Sequence, residues 1–285
     1  MATTAAKTFE LQTVDNNVRS RLALVTGSTG GIGSACARAL AADGCDVALH
    51  YSSSEDKAEA LAQELRAKHP AQLFVTARAD LSSRDATRGL VSSVLLGQAA
   101  VRARHDAVSI LVANAGVGRR IRDVRDIGED DWDAILEVNA RSQFVVARAC
   151  VEGMRAQGWG RVVLVGSIAS RGGGINGCHY AASKGAMTAM GLNLASLLAP
   201  EGITVNIVQP AMIGDTGMIP TPKSRTWTST DDLEELRATD PGLAIAAGVP
   251  VQRLGVPEEV AGVVAMFAKT GYMTGQEVLL AGGLR

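Results

Sequence analysis

Tyr180 and Lys184 stand four residues apart in the stretch SIASRGGGINGCHYAASK, which begins at Ser167. If the residues after the tyrosine, AASKGAMTAMGLNLASLLA, form a helix, positions i and i+4 leave one face and the two side chains are neighbours. A fixed ammonium beside a phenol favours the phenolate and lowers the phenol's pKa. Such a phenol can exchange a proton with a carbonyl oxygen near neutral pH, where a free tyrosine with a pKa of ~10 is a poor base. Ser167 follows RVVLVG, an apolar run that reads as a buried strand. Its hydroxyl then stands at a strand's carboxyl end and faces the helix that begins near Tyr180. A core tyrosine beside a surface lysine would show the same spacing, and YxxxK recurs by chance. The weight of the pair depends on the elements that must position it.

Upstream, RLALVTGSTGGIGSACARALAADG reads as a strand over 22–26, a loop with glycines at 27, 30, 31 and 33, and a helix of apolar period. Glycines there let the backbone turn tightly and approach a pyrophosphate, whose charge meets the helix amino end. The spacing TGxxxGxG differs from the common fingerprint GxGxxG, but a generic strand–helix turn would rarely need four glycines. A second strand over 46–51 ends in His50, Tyr51, Ser52, Ser53 and Ser54. NAD-binding folds place a carboxylate near this end for the ribose 2′-hydroxyl, and Asp46 lies at the wrong end. Hydroxyls at a helix amino end suit a 2′-phosphate instead, which favours NADP over NAD. The serines also fit capping boxes, Ser52 with Glu55 and Ser53 with Asp56, and the two roles are compatible.

QLFVTARADLSS reads as a third strand ending at Asp80 and Leu81, followed by a helical stretch to about His105. VSILVANAG is a fourth, leaving Asn114, Ala115 and Gly116 at a carboxyl end, where open α/β sheets bind ligands. EDDWDAILEVNARSQFVVARACVEGMRA reads as one helix with Asn139 near its middle, where an amide competes with the backbone for hydrogen bonds. The strand at 161–166, ITVNIVQP, a helix opened by Pro257 and TGQEVLLAGG complete the alternation. Strands alternating with helices predict an α/β fold with a doubly wound parallel sheet. Residues 212–249 interrupt the pattern. They are polar, with prolines at 220, 222 and 241 and a short helical piece near DDLEELRA, and read as a mobile lid. Residues 1–20 are polar and without period, a loose arm ahead of a domain over 21–285.

The 285 residues suffice for one large α/β domain. A net charge of −1 gives no reason to expect nucleic acid or an anionic membrane as partner. Cys36, Cys45, Cys150 and Cys178 show no metal-ligand spacing and read as mostly buried, reduced thiols, so no metal is expected. Neither a signal-peptide core nor a spanning stretch is visible, and the expected location is the cytoplasm. His179 reads as a loop or helix-start residue, Cys178 as a small site-wall residue, and Trp227 as either a substrate contact or an exposed or packed indole.

Together these motifs resemble the short-chain dehydrogenase/reductase family, and within it the 3-oxoacyl-carrier-protein reductase-like branch. The likeness covers about residues 20–285 and rests on TGSTGGIG (26–33), Asp80-Leu81, ANAG (113–116), Asn139 in VNA, Ser167, YAASK (180–184), NIVQP (206–210) and RLGVPEEVA (253–261). The resemblance implies a single Rossmann-like domain, a seven-stranded sheet with helices on both faces, and assembly as a homotetramer or dimer. It implies Tyr180 as acid/base, Ser167 holding the carbonyl oxygen, Lys184 on the nicotinamide ribose lowering the tyrosine pKa, and Asn139 anchoring a relay water. Gly27, Ser28, Thr29, Gly31, Ile32, Asn114, Ala115, Gly116, Pro210 and Ile213 would line the cofactor with Tyr180 and Lys184. Asp80 and Leu81 would meet the adenine, and Tyr51, Ser52, Ser53 and Ser54 are similar to a 2′-phosphate loop. Three residues depart from the family pattern: Gly30 replaces an arginine common in NADPH-dependent members, Ala211 a glycine and Ala281 an aspartate. The segment before TGQ is also short. The implied activity is an NADP(H)-dependent interconversion of a ketone and a secondary alcohol, a small-molecule substrate. The alternatives are an NAD-dependent alcohol, polyol or steroid dehydrogenase and a catalytically silent NADP-binding redox sensor, which would not need the Asn/Ser/Tyr/Lys set.

Overall fold

The computed structural model describes residues 11–121, 123–172, 175–228 and 233–285. Its strands are β1 (Leu22–Val25), β2 (Asp46–Tyr51), β3 (Phe74–Arg78), β4 (Ile110–Ala113), β5 (Gly160–Val165), β6 (Ile203–Pro210) and β7 (Glu277–Leu280). Its helices are α1 (Gly31–Ala42), α2 (Glu55–Lys68), α3 (Arg84–Leu95), α4 (Ala99–Arg102), α5 (Glu129–Leu136), α6 (Ser142–Ala156), α7 (Cys178–Leu198), α8 (Leu233–Thr239), α9 (Pro241–Ala247) and α10 (Pro257–Lys269). Among the described residues the seven strands form one sheet in the order β3-β2-β1-β4-β5-β6-β7. Every ladder is parallel.

The strands are near-continuous apolar runs because both faces of the sheet are covered. Alternation along β1 shows how: Ala23 and Val25 pack on one core with Leu40, Phe74, Val264 and Phe267, while Leu22 and Leu24 pack on the other with Leu90, Val146, Met154 and Leu164. Helices α1, α2 and α10 cover the first face, and α3, α6 and α7 the second. The strand order turns back between β1 and β4, which opens a crevice at their carboxyl ends. The loops after β1, β4, β5 and β6 therefore meet there.

Four local expectations are corrected. The helical stretch after β3 breaks at Leu96 before the single turn of α4. The helix drawn through Asn139 is interrupted by a π turn, Glu137–Arg141, between α5 and α6. Ser54, the residue ahead of α2, makes no side-chain capping bond, and neither serine capping box forms. The arm is not loose from Gln12 onward. Gln12 Nε2 donates to Pro200 O at 2.8 Å, and Trp159 Nε1 and an Arg161 amino group each donate to Asp15 O at 2.9 Å. The Asp15 carboxylate pairs with Arg21 at 2.6 Å, and the Arg21 and Arg161 guanidinium groups stack on the Trp159 ring at 3.6 and 4.1 Å. Burial, with Arg21 adding to it, pushes the Arg161 pKa down to about 10. Residues 1–10 of the expected arm lie outside the described residues, as do 229–232 of the expected lid. The rest of that segment folds around Asp240, whose carboxylate accepts from the N–H groups of Lys223, Ser224 and Leu243.

Candidate active site

At the crevice, Gly27 turns the chain with φ +64°, where a Cβ would press on Ala115 Cα at 3.0 Å. A Cβ at Gly33 would lie 2.2 Å from Gly27 O, so the start of α1 and the loop are in direct contact. Gly30 precedes α1 without a side-chain cap, and the first turn carries no acidic residue. Its N–H groups are open to an anion. From β4 the loop is clamped by Asn114, whose Nδ2 donates to Thr26 O at 2.9 Å and Gly27 O at 3.1 Å. Thr26 Oγ1 in turn accepts from the N–H groups of Asn114 and Ala115, both at 2.9 Å. From β2 it is held by His50, which the sequence reading passed over as a strand residue. Gly27 N–H donates to His50 Nδ1 at 3.0 Å, and the Ser28 N–H and hydroxyl donate to His50 O at 2.9 and 3.0 Å.

Ser167 stands just past β5 and opens a short 3-10 turn, Ile168–Arg171, by accepting from Ala169 N–H at 3.1 Å. Tyr180 lies in the first turn of α7 and Lys184 one turn on, both buried. Lys184 Nζ donates to Val165 O at 2.9 Å and lies 5.9 Å from the Tyr180 ring centre. Burial pushes the ammonium's pKa down to about 8. Burial also raises the Tyr180 pKa, against a smaller downward pull from the Ser167 hydroxyl. The expected lowering by Lys184 is thus absent here, because the lysine's hydrogen bond is to the strand and the phenol is dominated by desolvation. Asn139, fully buried in the π turn, accepts from Val117 N–H at 2.8 Å and donates to Val117 O at 2.9 Å and Ser183 Oγ at 3.1 Å. Its amide ties the loop after β4 to α7. A π turn is a common device for re-aiming one residue of a helix.

A cleft of about 320 Å³ collects these parts. Of the residues expected in the site, Gly27, Thr29, Gly31, Ile32, Asn114, Ala115, Gly116, Ser167, Tyr180, Lys184, Pro210 and Ile213 line it. Ser28 is buried, with its hydroxyl turned onto His50, and Leu81 and Tyr51 are buried as well. Ser52, Ser53 and Asp80 are exposed at the carboxyl ends of β2 and β3. Hydrogen bonds from Ser82 hold the Asp80 carboxyl below the usual range. Arg78, which the sequence did not single out, pairs with Tyr51 across the ladder and is exposed, without an ion-pair partner among the described residues.

The fold agrees with that of known proteins. The short chain dehydrogenase family profile matches residues 21–226. The chain belongs to the short-chain dehydrogenase family. Acetoacetyl-CoA reductase of Cupriavidus necator is 30% identical to this short-chain dehydrogenase over 266 residues, which cover 93% of this chain and 98% of that protein. The 3-oxoacyl-[acyl-carrier-protein] reductase FabG of Escherichia coli is 33% identical over 271 residues, covering 94% and 98%. A solved structure from Beutenbergia cavernae, provisionally described as an NAD(P)-dependent gluconate 5-dehydrogenase and carrying NADP at low occupancy, superposes with a TM-score of 0.76. It is 27% identical, covering 94% of this chain and 98% of that one. This short-chain dehydrogenase is accordingly an oxidoreductase of the reductase-like branch that its motifs resemble.

The cleft also carries the apolar side chains of Ile168, Ile175, Met212, Met218 and Ile219, with Asn176 and Thr216 among them. Ile175 and Met212 also line a second cavity, of about 520 Å³, beneath α8 and α9, where Ile245, Val249 and Leu284 meet Arg120 and Arg237. Cys178, expected as a site-wall residue, is exposed and does not line the cleft. His179 stands at the start of α7 as expected, and is fully buried with neither ring nitrogen hydrogen-bonded among the described residues.

Proposed function

We propose that this short-chain dehydrogenase interconverts a ketone and a secondary alcohol with NADP(H), working as a homo-oligomer. The observation that carries the reading is the meeting of the glycine loop with Ser167, Tyr180 and Lys184 in one cleft at the carboxyl ends of the sheet. The residues fit a dinucleotide: α1 begins uncapped and free of carboxylates, beneath glycines that leave no side chain in the way. Bound there, the nicotinamide would supply or accept the hydride. Tyr180 gives a proton to the substrate oxygen in reduction and takes it in oxidation. A buried phenol with a raised pKa keeps its proton at neutral pH, which suits the reducing direction. Ser167, which already pulls on that phenol, holds the same substrate oxygen. Lys184, one turn from Tyr180, offers its remaining N–H donors to the nicotinamide ribose.

Three features favour NADP over NAD. The residues that end β2, His50 to Ser54, include no carboxylate, the nearest being Glu55 on the Tyr51 phenol; Ser52 and Ser53 are exposed and unused by capping, and Arg78 adds a cation at the neighbouring strand end. The NADP in the Beutenbergia structure supports the same choice. The names of the relatives point to 3-oxoacyl thioesters as a substrate class, and apolar side chains continuing from the cleft into a second cavity support a ketone with an apolar chain. The test is consumption of NADPH with a panel of ketones that includes acetoacetyl-CoA, repeated with NADH. Turnover with a higher kcat/KM for NADPH is expected. A preference for NADH would overturn the cofactor assignment, and no turnover with either would overturn the activity.

A further inference from the structure

We propose that His50 is the positioning residue that sets the glycine loop for the dinucleotide. The inference rests on the dinucleotide reading above and goes beyond it, because it assigns a task to a side chain outside the cleft. His50 is the penultimate residue of β2 and is 2% exposed. A backbone N–H can only donate, so the contact from Gly27 N–H makes Nδ1 an acceptor, without a proton. The proton then sits on Nε2, which donates to Ala79 O at 3.0 Å. One neutral tautomer satisfies both partners at once, and burial, which lowers the imidazole's pKa, keeps it neutral.

The consequence is mechanical. The Gly27 peptide is gripped on both sides, by Asn114 from β4 and by His50 from β2. Gly27 is the left-handed residue at which the chain turns from strand to loop. Ser28, the next residue, hangs on the same histidine through its N–H and its hydroxyl. The far side of the imidazole holds Ala79, whose neighbour Asp80 is the expected adenine contact. His50 therefore ties the end that would meet the pyrophosphate to the end that would meet the adenine, and does so without touching Tyr180, Ser167 or Lys184. An aliphatic residue of similar size would fill the space and leave the Gly27 N–H and Ala79 O without partners, so the loop would keep its bonds to Asn114 and to the carbonyl of residue 50 but lose the one that fixes the Gly27 N–H.

The test compares His50→Leu with His50→Asn, whose Oδ1 can replace Nδ1 as acceptor for Gly27 N–H. NADPH affinity is measured by fluorescence titration without substrate, and kcat at saturating NADPH. His50→Leu is expected to weaken NADPH roughly 10- to 100-fold, the range for a buried donor left without its acceptor. His50→Asn should stay within about fivefold of the wild type, and kcat at saturation should change little in both. Nitrogen NMR of the cofactor-free wild type should show His50 protonated on Nε2 alone. Equal affinity in the wild type and a folded His50→Leu would overturn the inference, as would His50→Asn binding as poorly as His50→Leu, or a proton on Nδ1. If His50→Leu does not fold, the asparagine variant and the NMR spectrum still decide. A wild type that binds neither NADPH nor NADH would remove the dinucleotide reading and this inference with it. A wild type that binds NADPH while the variants behave alike removes only this one.

Discussion

Tyr180 holds its proton more tightly than a free tyrosine, and its lysine neighbour holds one less tightly than a free lysine, for the same reason: both are buried. Tyr180→Phe removes the phenol with little change in shape. We expect kcat to fall roughly 10²- to 10⁴-fold while NADPH still binds, and a near-normal kcat would remove Tyr180 from the chemistry. Lys184 loses its charge as pH rises through about 8 in the cofactor-free protein. The folded pKa lies below the unfolded one, so the charged form is present below about pH 8 and its grip on the cofactor is lost above it. NADPH affinity should therefore decline between pH 7 and 9 in the wild type and stay flat in Lys184→Met. A flat wild-type profile would mean either that Lys184 keeps its charge through this range or that it makes no cofactor contact, and unchanged affinity in Lys184→Met would single out the second. Tyr180, Lys184 and Ser167 were legible in one dimension because a helical i,i+4 spacing and a strand end suffice to place them. His50 and Arg78 were not, because their neighbours are set by the pairing of β2 with β1 and β3, which no local spacing encodes.

The strands were legible to within about three residues at each end, since runs such as DVALHY and ITVNIVQP are rich in apolar and β-branched residues and are flanked by polar stretches. The π turn was not, because the apolar period of α5 and α6 runs across it and only Asn139 marks the place. Burial also changes how the 2′-phosphate loop must be tested. Tyr51 is buried, so an aspartate there would first destabilise the strand end. Ser52 is exposed and can carry the same charge without that cost. Ser52→Asp should lower kcat/KM for NADPH roughly tenfold while leaving that for NADH nearly unchanged, by repulsion of the phosphate. Arg78→Ala should act in the same direction by a few-fold, since an exposed charge contact is worth little. NADPH and NADH kinetics responding equally to both substitutions would mean that the 2′-phosphate does not sit at this strand end.

At the scale of the whole molecule, the sheet separates two tasks. At its amino end the arm packs through Asp15 on Arg21, Trp159 and Arg161, remote from the cleft. At its carboxyl end the segment after β6 crosses the start of α1, where a Cβ at Gly31 would lie 2.2 Å from Asp215 O. That segment was legible as an interruption of the α/β alternation, but its wall of Met212, Met218 and Ile219 was not, since apolar residues scattered in a polar stretch carry no period. The wall leads from the reactive groups past Met212 and Ile175 into the second cavity. If a substrate chain runs this way, each added methylene buries more apolar surface, worth about 0.8 kcal/mol or roughly fourfold in kcat/KM while the chain still lengthens into the cavity. Met212→Trp would fill the passage that both spaces share. The wild type should therefore show a rising series of kcat/KM with chain length among 3-oxoacyl substrates. The variant should follow it for the shortest members and lose the rise beyond them, with NADPH affinity unchanged. A wild-type series that is flat from the start, or a variant that rises like the wild type, would mean that the second cavity is not substrate space. Selection would then rest on Ile168 and Ile175 at the cleft itself.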